Sequence, residues 1–175
     1  MFGRWRTGRS CSKAPRNQRT IGKSDSAPSL PGAKMRFEGH LTKDGQFWLA
    51  EIPLLDAITQ GRTKADALRM VADWLETMVN RRGFKTKVFS TGKKTFEIGG
   101  SDAAAMTALL LRRRREASGA SLRDVASRLG ESSRNAYARY ERGDAVPTVE
   151  KLDALLKAAA PDADFVIRES ADSHG

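Results

Sequence analysis

From Met35 onward the chain is patterned. Arg36 to Thr42 alternates polar and apolar residues and puts Phe37 and Leu41 on one face, the period of a half-buried strand. Lys43-Asp44-Gly45 follows, and Asp-Gly is a strong hairpin signal. Gln46 to Ile52 reads as the return strand, with Phe47, Trp48, Leu49 and Ile52. A third short strand is expected over about Leu55 to Thr59, ending at Gln60-Gly61. Thr63 then caps a helix, and Asp66 three residues on resembles a capping box. Leu68, Val71, Ala72, Leu75 and Val79 repeat at helical spacing and make one apolar face. Gly83 is the expected stop. Lys87–Ser90 and Thr95–Ile98, around Thr91-Gly92-Lys93, look like one or two more strands. The predicted order is β-β-β-α-β, a helix on one face of a small sheet.

After Gly99-Gly100 the period becomes helical and stays so to about Ala160. The first helix is expected from Ser101 or Asp102 to Ala117, with Met106, Leu109, Leu110 and Leu111 inward and Gly119 ending it. Ser121 caps a second, carrying Leu122, Val125, Ala126 and Leu129. Gly130 supplies a turn whose left-handed backbone suits glycine. A third helix runs from Ser133 to Arg142 and stops at Gly143. Pro147-Thr148 starts a fourth, with Val149, Leu152, Leu155 and Leu156 as its apolar positions. The expected organisation is therefore a basic leader 1–34, a sheet domain 35–100, a helical domain 101–160 and a tail 161–175. The fold class is α+β.

Charge adds less than its total of +10 promises, because it is segregated. Residues 1–34 hold eight Lys/Arg against one Asp. Residues 35–80 hold five basic against seven acidic groups, residues 81–100 six against one, and residues 101–175 twelve of each. The leader has no hydrophobic period and is expected to be disordered. A nucleic-acid arm, an organelle-targeting leader, and a functionless or misassigned stretch ahead of a start at Met35 all stay open for it; the last is preferred. One cysteine, Cys11, leaves no disulfide frame within the chain. His40 and His174 lack ligand spacing, so no metal site and no cofactor are expected. No apolar run approaches the ~20 residues of a bilayer span, no signal-peptide core follows the basic start, and the cytoplasm is the expected compartment.

The helical run carries Arg115-x-x-x-Gly119-x-Ser121-Leu122-x-x-Val125-Ala126-x-x-Leu129-Gly130, then Tyr137-x-x-Tyr140-Glu141-x-Gly143-x-x-x-Pro147. This succession resembles the Xre/Cro-type helix-turn-helix family. Its turn is one residue longer than in the shortest members, and Leu122 stands where many place a base-reading Gln. In such a motif the third helix enters the major groove and its N-terminal side chains reach base edges. The residues expected to be exposed there are Ser133, Arg134, Asn135, Ala138 and Arg139. Readout falls to Arg134, Asn135 and Arg139, since Arg pairs with guanine O6/N7 and Asn with adenine N6/N7. Ser121, Arg123 and Arg142 are expected to hold phosphates. Tyr137 and Tyr140 face the core in the family pattern. The run Arg112-Arg113-Arg114-Arg115 invites a DNA stripe, but four consecutive helical residues point four ways. Arg112 and Arg113 are expected on a solvated face, and the resemblance pairs Arg115 with Glu141.

The first domain, with Asp-Gly after its first strand, Thr59-Gln60-Gly61-Arg62-Thr63 before the helix and Ala67-Leu68 inside it, resembles the HicB antitoxin domain. Leu55-Asp56 stands where that family has Pro-Gly. The resemblance implies a truncated ribonuclease-H-like fold and a type II antitoxin. Such an antitoxin binds a HicA-like ribonuclease toxin, small and basic, and represses its own operon at a double-stranded DNA operator as a homodimer or higher even oligomer. A stand-alone helix-turn-helix regulator, whose first domain dimerises or senses a ligand, is the alternative. An enzyme is not expected: Glu38, Asp44, Glu51, Asp56 and Asp66 are scattered over strands, turn and helix, not gathered as a metal-dependent nuclease requires.

Overall fold

The computed structural model describes residues 35–170; the basic leader and the last five residues of the tail, with the expectations placed on them, lie outside the described residues. Five strands, β1 (Arg36–Asp44), β2 (Phe47–Ile52), β3 (Ala57–Gly61), β4 (Thr86–Ser90) and β5 (Thr95–Gly100), form one antiparallel sheet in the order β3-β2-β1-β5-β4. Helix α1 (Lys64–Val79) sits between β3 and β4 in sequence and packs on one face of the sheet. The order is thus β-β-β-α-β-β, one strand more than β-β-β-α-β. The cations of residues 85–94 do not prevent a fifth strand, because β4 is an edge strand, where lysines also discourage edge-to-edge pairing.

The inner face of the sheet is apolar because of the period-2 alternation. Phe37 and Leu41 of β1, Ala50 and Ile52 of β2, and Phe96 and Ile98 of β5 are buried against Ala67, Val71 and Leu75 of α1. The buried ridge of α1 is thus the i, i+4, i+8 row starting at Ala67, with Leu68, Ala72 and Val79 half-buried beside it. Thr63 caps α1 by accepting from the Asp66 amide at 3.1 Å, while the Asp66 carboxylate accepts from the Arg62 amide at 3.0 Å.

Two boundaries differ from the pattern. The third strand begins at Ala57, because Pro53–Leu55 forms a 3-10 turn closed by Asp56 in the left-handed region. Helix α1 ends at Asn80 (φ 46°), three residues before Gly83. Asn tolerates that conformation because its short polar side chain bonds locally.

Four helices follow: α2 (Ala103–Ala117), α3 (Leu122–Arg128), α4 (Arg134–Glu141) and α5 (Val149–Ala159). In α2 seven consecutive residues, Ala105 to Leu111, are buried, and a helix apolar on all sides must be covered on all sides. One side meets α1, β5 and the 3-10 turn; the other meets α4 and α5. Residues 35–170 accordingly belong to one compact unit with a continuous core. Among the described residues no helix is long and apolar enough to cross a membrane.

Candidate nucleic-acid interface

The interface is built on the α3–turn–α4 unit. Ser121 caps α3 in a full capping box: its hydroxyl accepts from the Asp124 amide at 3.2 Å, and its own amide donates to the Asp124 carboxylate at 2.8 Å. These bonds to Ser121 hold the Asp124 carboxyl below the usual range. Gly130, at φ +71°, turns the chain, and the Glu131 amide returns to the Ala126 carbonyl at 2.9 Å. A non-glycine residue would be strained there. Ser133 caps α4 through the Asn135 amide at 3.2 Å.

Two contacts fix α4 against α2. Tyr137 is fully buried and its hydroxyl donates to the Leu111 carbonyl at 3.2 Å; burial pushes this phenol far above its usual pKa. Arg115 of α2 forks onto Glu141, Nε to Oε1 at 2.7 Å and Nη2 to Oε2 at 3.0 Å, while Nη1 donates to the Ala120 carbonyl at 3.1 Å. The Glu141 hydrogen bond raises the guanidinium pKa further above its ordinary value.

With Tyr137 and Tyr140 buried, Asn135, Arg139 and Arg142 are turned to the opposite side of α4, and Ser133 and Arg134 stand at its open start. Ser133, Arg134, Asn135, Arg139 and Arg142 are all exposed. Among the described residues the side chains of Arg123, Arg134 and Asn135 make no hydrogen bond or ion pair. Arg123, Ser127, Ser132, Ser133 and Arg134 border one open groove between α3 and α4. Arg139 donates to the Tyr140 hydroxyl at 3.0 Å and lies over that ring, and Arg142 pairs with Asp144 at 2.7 Å. Both cations stay on the surface but are partly occupied.

Ala138 does not belong to this surface. It is 6 % exposed, because it follows Tyr137 and precedes Glu141 by three residues, both turned toward α2. A side chain sealed on that half of α4 cannot touch a base. Leu122, at the position of the family's Gln, is half-buried and packs on the core. Ser121 is exposed, but its hydroxyl and amide serve the capping box first.

The arginine run is held by the protein itself. Arg112 and Arg113 are not on a solvated face. Arg112 donates to the Met78 carbonyl at 2.7 Å, at the end of α1. Arg113 donates to the carbonyls of Leu55 at 2.8 Å and Asp56 at 2.7 Å. Arg114 lies over the Phe165 ring at 5.9 Å. The four arginines do point four ways, and each direction holds a neighbour: α1, the 3-10 turn, the C-terminal segment and α4. The sequence signal was present in the 100° step per residue; what lay at the end of each side chain was not.

The segment after α5 returns to the sheet. Phe165 packs on the core, whereas Val166 and Ile167 are 86 % and 90 % exposed. Arg168 pairs with Glu38 at 2.9 Å, and Ser170 meets the buried Glu97, which also binds Arg36 at 3.2 Å. Val149, expected on the apolar face of α5, is instead 74 % exposed, since it opens the helix, ahead of the residues from Leu152 to Ala159 that pack on the core. Among the described residues no three His, Cys, Asp or Glu side chains are grouped to hold a metal ion.

Residues 108–164 match the helix-turn-helix domain family. The match begins inside α2 and ends past α5, so it spans the whole unit that presents α4. This part of the chain is a helix-turn-helix DNA-binding domain. No curated protein matches the chain.

Proposed function

We propose that the chain is a repressor of its own operon and the antitoxin of a basic, HicA-like ribonuclease toxin. The observation that carries the DNA half is the outward stripe of α4, with Arg134 and Asn135 unpaired at its N-terminal end. In the assignment we favour, Arg134, Asn135 and Arg139 read base edges while Arg123, Arg142 and Ser121 hold phosphates. A two-fold operator, with half-sites about 34 Å apart, calls for a homodimer or a higher even oligomer.

The outer face of the sheet supports the antitoxin half. Register places Glu38, His40 and Asp44 of β1 on one side with Phe47, Leu49 and Glu51 of β2 and Ile58 of β3. Asp44 and Glu51 are exposed and, among the described residues, make no ion pair; Glu38 is exposed but shared with Arg168, and Ile58 is 64 % exposed. Acidic groups around a partly exposed apolar strip suit a basic protein: charge steers the encounter and the apolar strip supplies buried area. The protein acts in this reading by binding, in the cytoplasm and without a cofactor, and not as an enzyme.

The test is co-expression with the neighbouring reading frame of its operon. The antitoxin reading expects co-purification, rescue of growth from the neighbour's toxicity, and loss of both with Glu38→Lys/Glu51→Lys. If the neighbour is harmless and does not bind while the operator is still bound, the chain is a stand-alone regulator. Arg134→Ala should weaken operator binding by about 1–3 kcal/mol and relax one base, whereas Arg123→Ala should weaken all sequences alike. Cleavage of RNA or DNA by the purified protein with Mg²⁺ would overturn the non-enzymatic reading.

A further inference from the structure

The helix-turn-helix leaves one charged segment unexplained. Between Glu76 and Glu97 the chain has six cations, Arg81, Arg82, Lys85, Lys87, Lys93 and Lys94, and no acidic residue. Part of this run is brought against the DNA-binding domain. The loop from α1 to β4 lies beside the start of α2: the Ser101 amide donates to the Lys85 carbonyl at 2.8 Å, and the Lys85 amide donates to the Ser101 hydroxyl at 3.0 Å. Arg81 pairs with Asp102, the cap of α2. Arg81 also reaches the end of α4, where a Cβ on Gly143 would lie 2.8 Å from its Nη2, and it shares a small cleft with Arg142.

Within this cluster some charge is already matched. Arg81 is paired with Asp102, Arg142 with Asp144, and Glu76 accepts from the Thr86 amide at 2.9 Å. Arg82 and Lys85 are exposed, and among the described residues their side chains make no ion pair. Arg82 follows Arg81, which shares its cleft with Arg142 just after α4, and the Lys85 backbone is bonded to Ser101 at the start of α2.

We propose that Arg82 and Lys85 extend the DNA contact beyond the helix-turn-helix, as a second phosphate-binding patch supplied by the sheet domain. The inference rests on the DNA-binding reading of α4. Its partner is the backbone of duplex DNA flanking the site that α4 occupies. The patch carries no base-reading geometry, so it adds affinity without sequence preference. The burial of α2 between sheet and helices lets the patch keep a constant place relative to α4.

The test uses the full chain and a 40-base-pair duplex of mixed sequence, with binding measured across a series of NaCl concentrations. Each phosphate contact contributes about 0.9 to the slope of log K against log salt, so Arg82→Ala/Lys85→Ala should lower the slope by about 2. The control is Lys93→Ala/Lys94→Ala, which removes the same charge elsewhere. The Lys64 ammonium binds the Lys93 carbonyl at the start of α1, a helix of 16 residues, so the control lies about 24 Å from the α1 end that carries Arg82. The control should leave the slope unchanged. Equal losses in both variants would mean a general field and would overturn the patch. An unchanged slope in Arg82→Ala/Lys85→Ala, alongside a reduced one in Arg123→Ala, would overturn the patch and keep the helix-turn-helix reading. Wild-type protein that binds no duplex would end both.

Discussion

Replacing Arg115 by alanine tests how the recognition helix is held. The pair with Glu141 is bidentate, at 2.7 and 3.0 Å, and its side chains are only 16 % and 8 % exposed. Removing the guanidinium leaves a carboxylate shielded from water with no cation, and it takes the donor from the Ala120 carbonyl. Breaking a buried pair from one side costs about 3–5 kcal/mol; the remaining exposure of Arg115 puts the expectation at the low end, ~3 kcal/mol. The compact unit has about 140 residues, with an unfolding entropy of about 0.3 kcal/mol/K, so the melting temperature should fall by about 10 °C. Calorimetry reads this directly. A second variant separates the cost of the orphaned charge from the worth of the pair. Arg115→Met/Glu141→Leu removes both charges and should regain more than half of the loss, because a well-packed apolar pair is often as stable as a buried ionic one. A single-variant melting temperature within about 1 °C of wild type would refute the reasoning. So would a double variant no more stable than Arg115→Ala.

Arg113→Ala should cost about 1.5–3 kcal/mol in urea unfolding, since it strips a charged donor from the Leu55 and Asp56 carbonyls; an unchanged midpoint would return Arg113 to the solvated face. Gly61→Ala should cost at least about 1–3 kcal/mol, because its Cβ would sit 2.3 Å from the Ala67 backbone nitrogen, which cannot swing aside; wild-type stability would deny that close approach. Three helix-start carboxylates set the acid response. Asp66 is held low by the Arg62 amide and Arg69, and Asp124 by Ser121. Burial of Asp102 works the other way, but the Ala105 amide and Arg81 outweigh it. A depressed carboxylate contributes fully above its unfolded value of 3.8 and loses that contribution as pH falls through the folded one. The melting temperature should therefore stay level from pH 7 to about pH 5 and drop below about pH 4; an acid limb starting near pH 6 would contradict this assignment.

Local chemistry was legible. Alternation in Arg36–Thr42, the Asp-Gly turn, the caps at Thr63 and Ser121, the helix start at Thr148, and the glycines at 119, 130 and 143 all act through neighbours a few residues away, and each is found where its pattern put it. Asn135 and Arg139 were equally readable, because Tyr137 and Tyr140 mark the inward side of α4 and a step of two residues from Tyr137 points the other way, whereas Arg134, three residues before Tyr137, is exposed because it opens the helix. Ala138 escaped this rule, since a small apolar residue beside a buried tyrosine gives no sign of which side of the boundary it takes.

The sequence by itself determined which segments become strands and helices, and which side of α4 carries its cations, because short-range hydrogen bonding and periodicity decide both. Only the tertiary structure decided what Arg112, Arg113 and Arg114 of α2 and the loop of Arg81 and Lys85 lie against. Their partners are the carbonyls of Leu55, Asp56 and Met78, the ring of Phe165 and the end of α4, groups tens of residues distant that become neighbours only when α2 is enclosed on every side. A backbone carbonyl has no residue identity to read, so a side chain that binds one leaves no mark in the sequence.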